Sequence, residues 1–317
     1  MNILLLLVGL GLIVLGADWL VDGASAIARR AGVSEFVIGL TIVGFGTSCP
    51  ELVVSMTGAL QGNADIAIGN VVGSNIFNTF FILGLTALLM PVSMTDANRR
   101  RDIPITLSVS LLLIFCGMSK SLSGIGGADS ISRTEGVIFL LIFSGYLWYC
   151  FKSDSNEQGE IEEQKQIRLP IAILAVAAGL AGLIFGGELF VDSATALARK
   201  IGVSDKFIAI TVLAGGTSFP ELATCIVAAA KHKDQLALGN ILGSNVFNIL
   251  LILGCSSIVT PLSFAGMNLV DAAALILSCI MLLLWAYTGR KCRIDRWEGA
   301  LMLLAFAGYY YYLFTKL

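Results

Sequence analysis

The chain has 317 residues, of which 56% are hydrophobic and 13% are charged, and its mean hydropathy is +0.86. Soluble domains contain about 25% charged residues, so this composition excludes a water-soluble globular protein and indicates an integral membrane protein. The net charge of −2 and the absence of a basic patch give no indication of a nucleic-acid partner.

Ten apolar segments are predicted to cross the membrane as helices, because about 20 apolar residues span the hydrocarbon core. In chain order they cover residues 2–22, 34–60, 65–90, 103–119, 135–151, 170–192, 204–230, 235–260, 268–288 and 297–315. A short acidic stretch, 152–168, separates the fifth span from the sixth and is predicted to be a solvated linker. The sequence therefore predicts an all-α membrane protein with two five-helix halves, residues 1–151 and 169–317.

The two halves repeat each other at an offset of 170 residues. Residues 16–91, the first copy, align without a gap to residues 186–261, the second copy, and 31 of the 76 positions are identical. The most similar segments are 44–78 and 214–248. Five spans per half is an odd number, so the second half enters the membrane from the opposite side and the repeats are inverted. Such repeats are typical of secondary transporters.

The basic residues of the loops predict the orientation, because cytoplasmic loops are enriched in Lys and Arg. With the N-terminus outside, 14 Lys and Arg residues fall inside and 6 fall outside. We therefore predict a multi-pass protein of the plasma (inner) membrane, with both termini outside and the 152–168 linker in the cytoplasm.

Spans 2 and 7 are predicted to be broken near the membrane midplane. Pro50 and Pro220 each remove a backbone donor, and the glycines that precede them weaken the helix further. Carbonyl groups freed in this way cannot face lipid, so they line a cavity or bind a ligand. Glu51 and Glu221 follow directly, and a charge at membrane depth indicates a functional site. A structural ion pair is the alternative, but no basic residue lies at matching depth in the predicted spans.

The polar side chains near the two breaks are all hard oxygen donors. Residues four apart share one helix face, so the serine and asparagine of each G-S-N-x-x-N segment are predicted to point into one space. Small packing residues are the alternative for the two serines. Carboxylate, hydroxyl, amide and carbonyl oxygens suit Ca²⁺ rather than zinc or copper, and the similar radius of Na⁺ allows the same oxygens to hold either ion in turn. The candidates are Thr47, Ser48, Glu51, Ser74, Asn78, Thr217, Ser218, Glu221, Ser244 and Asn248.

These motifs resemble the two repeats of the calcium/cation antiporter superfamily. The resemblance rests on G-T-S-C-P-E at 46–51, G-T-S-F-P-E at 216–221, and G-S-N at 73–75 and 243–245. The sodium/calcium exchanger branch fits best, in the prokaryotic type without a regulatory domain, because the long loop of animal exchangers is missing. The resemblance covers both copies and, in span layout, the whole chain.

The resemblance implies Na⁺/Ca²⁺ antiport by alternating access around a midplane site. It implies an electrogenic exchange of about three Na⁺ per Ca²⁺ that normally extrudes Ca²⁺ and therefore responds to voltage. Ca²⁺ is then bound by Glu51, Glu221 and the backbone carbonyls of Thr47 and Thr217. The implied Na⁺ ligands are Ser48, Ser74, Ser218, Ser244, the carbonyls of Gly44 and Ala214, and the same Thr and Glu residues, while Asn78 and Asn248 close the central site.

Two departures from the superfamily refine this prediction. Potassium-dependent relatives carry Asp where this chain has Asn248, which argues against K⁺ cotransport. Proton/calcium relatives carry a glutamate shortly after the Gly-Asn pair, whereas residues 69–73 and 239–243 contain none. An antiporter that exchanges Ca²⁺ for H⁺ or another cation remains the alternative, and a cation channel is the alternative from a different class.

The remaining expectations are of absence or of structural roles. No enzymatic activity is expected, because metalloprotease spacing is missing and the single histidine, His232, lies in a polar turn. Apart from the transported Ca²⁺ and Na⁺ and the lipid bilayer, no cofactor and no obligate protein partner is predicted. Asn70 and Asn240 are expected to hydrogen-bond broken backbone. Four further carboxylates, Asp18, Asp22, Glu188 and Asp192, are expected to have a structural role through pairing with Arg29, Arg30, Arg199 or Lys200. Attraction of cations toward the path is the alternative.

Overall fold

A computed structural model describes residues 2–124, 129–154, 167–200, 214–288 and 292–316. Residues 155–166 of the predicted linker and 204–213 of the seventh predicted span lie outside the described residues. The protein is helical through most of its described length, and the strands found there are two residues long.

The helices of the first half follow the predicted spans. They are α1 (Asn2–Ala31), α2 (Glu35–Ile38), α3 (Gly44–Thr47), α4 (Cys49–Leu60), α5 (Ala64–Ile76), α6 (Gly84–Leu89), α7 (Ile103–Gly117), α8 (Ser119–Ser123) and α9 (Arg133–Asp154). The first helix continues nine residues beyond its predicted end at residue 22. Hydropathy measures the apolar part of a helix, and the backbone remains helical through the more polar segment that follows.

The helices of the second half have the same order. They are α10 (Leu169–Lys200), α11 (Ala214–Gly216), α12 (Phe219–Ala230), α13 (Asp234–Phe247), α14 (Gly254–Val259), α15 (Leu269–Thr288) and α16 (Arg296–Lys316). Four short strands accompany the helices: β1 (Val92–Ser93), β2 (Ser130–Ile131), β3 (Leu262–Ser263) and β4 (Arg293–Ile294).

Several helices contain π-helical turns, in which each amide bonds the carbonyl five residues earlier. They are at Gly39–Val43, Phe77–Leu83, Asn98–Asp102 and Asn248–Leu253. The second and the fourth lie at matching places in the two copies, where each continues α5 or α13 without a break. Such turns are uncommon and frequently occur at functional sites.

Six of the described helices are long and apolar enough to cross a membrane. The number rises to seven if the bent pair Glu35–Thr47 and Cys49–Leu60 is one span. The apolar helix Phe219–Ala230 is shorter, at 12 residues. The protein is therefore an all-helical membrane protein, and the bent pair is at the predicted break in span 2.

The chain forms two compact units, each drawing on both halves of the sequence. The first unit comprises Met1–Pro50 and Cys150–Asn240. The second unit comprises Glu51–Tyr149 and Ile241–Leu317. Residues of one copy are therefore divided between the units.

Two long helices, α1 and α10, pack against each other in the first unit through glycines. A methyl group added at Gly16 would lie 2.8 Å from the carbonyl oxygen of Gly179, and one added at Gly23 would lie 2.7 Å from that of Ala172. Only glycine permits this approach, which is how membrane helices maximise packing without a hydrophobic driving force. Since residues late in α1 contact residues early in α10, the two helices are antiparallel.

Two small antiparallel sheets join the two halves of the sequence within the second unit. β1 pairs with β4, with Val92 opposite Ile294, and β2 pairs with β3, with Ile131 opposite Leu262. These four residues are completely buried. Each sheet thus joins a strand of the first half to a strand of the second half.

Acidic residues of α1 form ion pairs within the first unit, but not with the partners expected from the sequence. Lys231 lies 2.7 Å from a carboxylate oxygen of Asp18 and 2.6 Å from one of Asp22. The pairing expected of Asp18 and Asp22 is therefore found, but the partner is Lys231 rather than Arg29 or Arg30. The partner could not be predicted because Lys231 is distant in the sequence and is brought to α1 by the fold.

Candidate functional site

The break in the first copy is at Ser48. The helical segments on either side of it, Glu35–Thr47 and Cys49–Leu60, are bent by 49°. Ser48 has φ −84° and ψ 7°, which is outside the helical range. Pro50 has no N–H to donate to the carbonyl of Gly46, so the regular helical pattern cannot continue through this segment.

The break in the second copy has the same local geometry. Ser218 lies between α11 and α12 with φ −92° and ψ 7°, close to the values at Ser48. Pro220 is in the first turn of α12, and Glu221 follows it directly. Identical residues at the two breaks therefore produce nearly identical backbone conformations.

Polar side chains in the first unit meet around Glu221. The Ser48 hydroxyl donates to Oε1 of Glu221 over 3.0 Å. The neighbouring Thr47 hydroxyl lies 3.1 Å from Oδ1 of Asn240 and donates to it. All four residues are at most 2% exposed. The break in one copy is thus linked by hydrogen bonds to the glutamate and an asparagine of the other copy.

In the second unit, a different group of polar side chains meets around Glu51. Ser74 donates to Oε1 of Glu51 over 3.4 Å, and both residues are buried. The Asn70 amide donates to the backbone carbonyl of Glu51 over 3.1 Å and to the Ser55 hydroxyl over 2.9 Å. The expectation that Asn70 binds the backbone of the broken segment is therefore confirmed. Asn240 binds side chains instead, those of Thr47 and Cys225.

Asn78 and Asn248 are buried in the second unit and are held there by hydrogen bonds. Asn78 donates through Nδ2 to Oδ1 of Asn245 over 3.3 Å, and Asn248 donates through Nδ2 to Oδ1 of Asn75 over 2.9 Å. Both side chains are at most 1% exposed. Within the described part of the chain, Oδ1 of Asn78 and Oδ1 of Asn248 accept no hydrogen bond. Buried amide oxygens of this kind need a partner, and a cation or a water molecule can supply it.

The chemistry of these side chains suits a hard cation. Burying an ionised carboxylate costs several kcal/mol unless hydrogen bonds or a cation compensate for its lost hydration, and Glu51 and Glu221 are both 0% exposed. No group of three or more His, Cys, Asp or Glu residues able to hold a metal is found among the described residues. The available donors are therefore carboxylate, hydroxyl, amide and carbonyl oxygens, which Na⁺ and Ca²⁺ prefer.

The remaining predicted residues lie on the same segments. Ser218 and Ser244 are completely buried. The Thr217 hydroxyl is also buried, and it neither donates nor accepts a hydrogen bond within the described chain. The carbonyl of Gly44 accepts from the backbone amide of Ser48 over 3.1 Å. Ala214 begins the short helix α11, before the second break.

Sequence reasoning missed the polar residues that support this arrangement. Ser55 and Cys225 hold Asn70 and Asn240, and Thr79 holds Asn245. The signal for Asn75 and Asn245 was present, because each lies three residues before Asn78 or Asn248 and is repeated in both copies.

The fold and these side chains define a class of protein: an all-helical membrane protein with two internal copies of a broken helix, each carrying one buried carboxylate. The family model described as sodium/calcium exchanger protein matches residues 1–152 and 171–315. The chain therefore belongs to the sodium/calcium exchanger family, as the sequence motifs predicted.

Individual relatives match nearly the whole chain. CaxA of Alkalimonas amylolytica, which is named as an antiporter, is 38% identical and covers 98% of each chain. The sodium/calcium exchanger MaX1 of Methanosarcina acetivorans is 34% identical and covers 99% of this chain and 98% of its own. The solved structure of the sodium-calcium exchanger NCX_Mj, soaked with 10 mM Na⁺ and zero Ca²⁺, superposes with a TM-score of 0.83 at 33% identity, over 96% of each chain.

Proposed function

We propose that the protein is a Na⁺/Ca²⁺ antiporter that works by alternating access around one set of oxygen ligands. The observation that carries this proposal is the pair of fully buried glutamates, Glu51 and Glu221, each of which accepts a hydrogen bond from a serine hydroxyl. Two carboxylates neutralise one divalent cation. Membership of the sodium/calcium exchanger family supports the same ions.

The ligands are assigned by repeat and by chemistry. Glu51 and Glu221 bind Ca²⁺, together with the backbone carbonyls of Thr47 and Thr217. When Na⁺ replaces Ca²⁺, the same four residues are joined by hydroxyl and carbonyl groups of both copies: Ser48, Ser74, Ser218, Ser244, Gly44 and Ala214. Asn78 and Asn248 close the centre of the site with either ion. The buried, unpartnered oxygens of Asn78 and Asn248 within the described chain support their place among the ligands.

The charge balance makes the exchange electrogenic. With one Ca²⁺ the two carboxylates are neutralised, and with about three Na⁺ the loaded site carries one net positive charge, whose movement across the membrane is worth about 2.3 kcal/mol per 100 mV. Three positive charges then enter for every two that leave. An inside-negative potential therefore favours Na⁺ entry and Ca²⁺ exit, which is the direction proposed for the cell.

The proposal includes ten spans arranged as two inverted repeats in the plasma membrane, with both termini outside. The antiparallel packing of α1 and α10 supports the inversion, because these two helices occupy matching places in the two copies. Contacts in the second unit between the helix that begins with α5 and the helix that begins with α13 give the same support. Asn75 binds Asn248 and Asn78 binds Asn245, so the residue numbers run in opposite directions.

The test is ⁴⁵Ca²⁺ uptake into proteoliposomes that contain the purified protein. Outward gradients of Na⁺, K⁺ or H⁺ are imposed one at a time, and valinomycin with K⁺ clamps the membrane potential in a second series. We expect uptake only with internal Na⁺, and we expect faster uptake when the inside is made positive.

Each alternative function has its own outcome in this test. Uptake driven by a proton gradient alone identifies an H⁺/Ca²⁺ antiporter, and a requirement for K⁺ overturns the argument from Asn248. Uptake that needs no counter-ion identifies a channel. Na⁺-driven uptake that ignores the clamped potential contradicts the electrogenic coupling but leaves antiport standing.

A further inference from the structure

Four asparagines and a threonine form a closed group of hydrogen bonds inside the second unit. Asn75, Asn78 and Thr79 come from the helix that begins with α5, and Asn245 and Asn248 come from the helix that begins with α13. None of the five is more than 2% exposed. The function proposed above uses Asn78 and Asn248 but leaves the other three without a role.

The two central bonds of the group are related by the internal repeat. Asn248 donates to Oδ1 of Asn75 over 2.9 Å, and its counterpart Asn78 donates to Oδ1 of Asn245 over 3.3 Å. Asn75 and Asn245 are thus the acceptors that hold the amide nitrogens of the two central asparagines. Each acceptor belongs to the opposite copy from the asparagine that it holds.

The other amide nitrogens fix the acceptors themselves. Asn245 donates through Nδ2 to the Thr79 hydroxyl over 2.8 Å. Asn75 donates through Nδ2 to the backbone carbonyl of Asn245 over 3.1 Å. The second copy has Ile249 at the position of Thr79, which has no oxygen to offer, so the two acceptors are fixed by different partners.

A carboxamide carries its oxygen and its nitrogen on opposite branches of one planar group. Fixing the nitrogen therefore fixes the direction of the oxygen. Of the two branches only the oxygen can bind a cation, because the NH₂ group has no free lone pair and presents hydrogens. A rotation of the Asn78 or Asn248 side chain by half a turn would exchange a ligand for a repelling group.

We infer that Asn75 and Asn245 are positioning residues: they bind the amide nitrogens of Asn248 and Asn78 and so hold the two amide oxygens toward the transported cation. Thr79 extends this role by fixing Asn245. The inference rests on the proposed function, in which Asn78 and Asn248 are ligands. Substituting groups that orient metal ligands typically costs 10–100-fold in metal affinity.

The test is a double-mutant cycle read out by equilibrium ⁴⁵Ca²⁺ binding to the purified full-length protein. The cycle consists of Asn75→Leu, Asn248→Ala and the double variant. We expect Asn75→Leu to weaken Ca²⁺ binding roughly tenfold in the wild-type background. In the Asn248→Ala background we expect less than about a twofold further loss, because a residue that acts through Asn248 has nothing left to orient.

A second pair of variants covers the case in which Asn75→Leu does not fold. Thr79→Val removes the acceptor of Asn245 while preserving the shape of the side chain, and we expect it to weaken Ca²⁺ binding. In an Asn78→Ala background, Thr79→Val should cause no further loss of Ca²⁺ affinity. Thr86→Val is the matched control, since Thr86 is also buried on this helix but bonds only the carbonyl of Ile82. We expect wild-type Ca²⁺ binding from this control.

The outcomes separate this inference from the proposed function. Losses that multiply independently in the double variants, or equal losses from Thr79→Val and Thr86→Val, show a general structural role and overturn the positioning role. A wild-type protein that binds no Ca²⁺ overturns the proposed function itself. Coupled losses in a wild-type protein that binds Ca²⁺ support both.

Discussion

The asparagine that follows each broken helix is identical in the two copies, yet it makes different bonds. In the first copy, Asn70 binds the Glu51 carbonyl and the Ser55 hydroxyl. In the second copy, Asn240 binds the Cys225 thiol over 3.3 Å and accepts from the Thr47 hydroxyl. Ser55 and Ala67 of the first copy correspond to Cys225 and Ala237 of the second. The Ser55 hydroxyl donates to the Ala67 carbonyl, and the Cys225 thiol donates in the same way to the Ala237 carbonyl.

The difference teaches that a repeated motif preserves residue types more strictly than contacts. The first copy has Ser55 where the second has Cys225. The asparagine therefore donates to an oxygen in the first copy and to a sulfur, which is a much weaker acceptor, in the second. The asparagine of the first copy supports the backbone of its own glutamate, and that of the second copy supports the break in the opposite copy.

The largest effect is expected from replacing the buried glutamate of either copy, and it should be equal in the two copies. Glu51→Gln and Glu221→Gln should each abolish ⁴⁵Ca²⁺ exchange, because each removes half of the charge that balances Ca²⁺, and breaking a buried ion pair costs roughly 3–5 kcal/mol. Glu298→Gln is the matched control: Glu298 is as deeply buried but binds the Asp295 amide and the Thr288 hydroxyl. A normal exchange rate in either of the first two variants means that the carboxylates are misassigned.

The next prediction is that replacing the asparagine after the broken helix costs more in the first copy than in the second. Asn70→Ala should lower the free energy of unfolding by about 1–3 kcal/mol, since it removes two bonds from buried oxygen acceptors, and it should impair exchange through the Glu51 backbone. Asn240→Ala should cost less, because one of its two bonds is to a thiol. Thermal unfolding in detergent and ⁴⁵Ca²⁺ uptake measure both effects. Equal losses would show that the different contacts carry no energetic difference.

A smaller effect is expected when the acceptors are exchanged. Ser55→Cys gives the first copy the thiol of the second and should destabilise the protein by about 1 kcal/mol, the typical net value of one hydrogen bond. Cys225→Ser makes the reverse change and should cost less or nothing, because the stronger acceptor offsets the lost apolar contact. Thermal unfolding of the two variants side by side is the measurement, and a greater loss from Cys225→Ser contradicts the comparison.

The smallest effect concerns the turns after α4 and α12. Gly62 has φ 72°, and its counterpart His232 has φ 57°. A left-handed conformation costs a residue with a side chain roughly 1–2 kcal/mol, partly offset because glycine loses more entropy on folding. We therefore expect Gly62→Ala to lower the melting temperature and His232→Gly to raise it slightly. Shifts of the same sign would exclude backbone strain as the cause.

Much of the fold is encoded in local sequence patterns. Apolar length predicted where the helices lie, and Pro50 and Pro220 predicted where two of them break, because both signals act over a few residues. The π-helical turns at Phe77–Leu83 and Asn248–Leu253 were not predicted, since apolar length and periodicity do not distinguish a π-helical turn from an α-helical one. The ion pairs of Lys231 were missed because they join segments more than 200 residues apart.

The candidate site was predicted to a similar depth. Repetition and intramembrane charge identified Glu51 and Glu221, because an ionisable group in an apolar span is conspicuous. The neutral residues that orient the ligands leave no such signal, and the role of Asn75 emerges only when its partner Asn248 is known. The sequence therefore identifies the charged ligands, whereas the partners of the neutral residues are known only from the fold.

Competition between Na⁺ and Ca²⁺ for the purified protein is the most direct test of the central claim that both ions share one set of ligands. ⁴⁵Ca²⁺ bound at equilibrium is measured while Na⁺ replaces choline at constant ionic strength, with wild-type protein and with Glu298→Gln as control. The account predicts complete displacement of Ca²⁺, with a steep dependence on Na⁺ because more than one Na⁺ occupies the vacated ligands. Ca²⁺ that remains bound at saturating Na⁺ would show two independent sites and contradict the account.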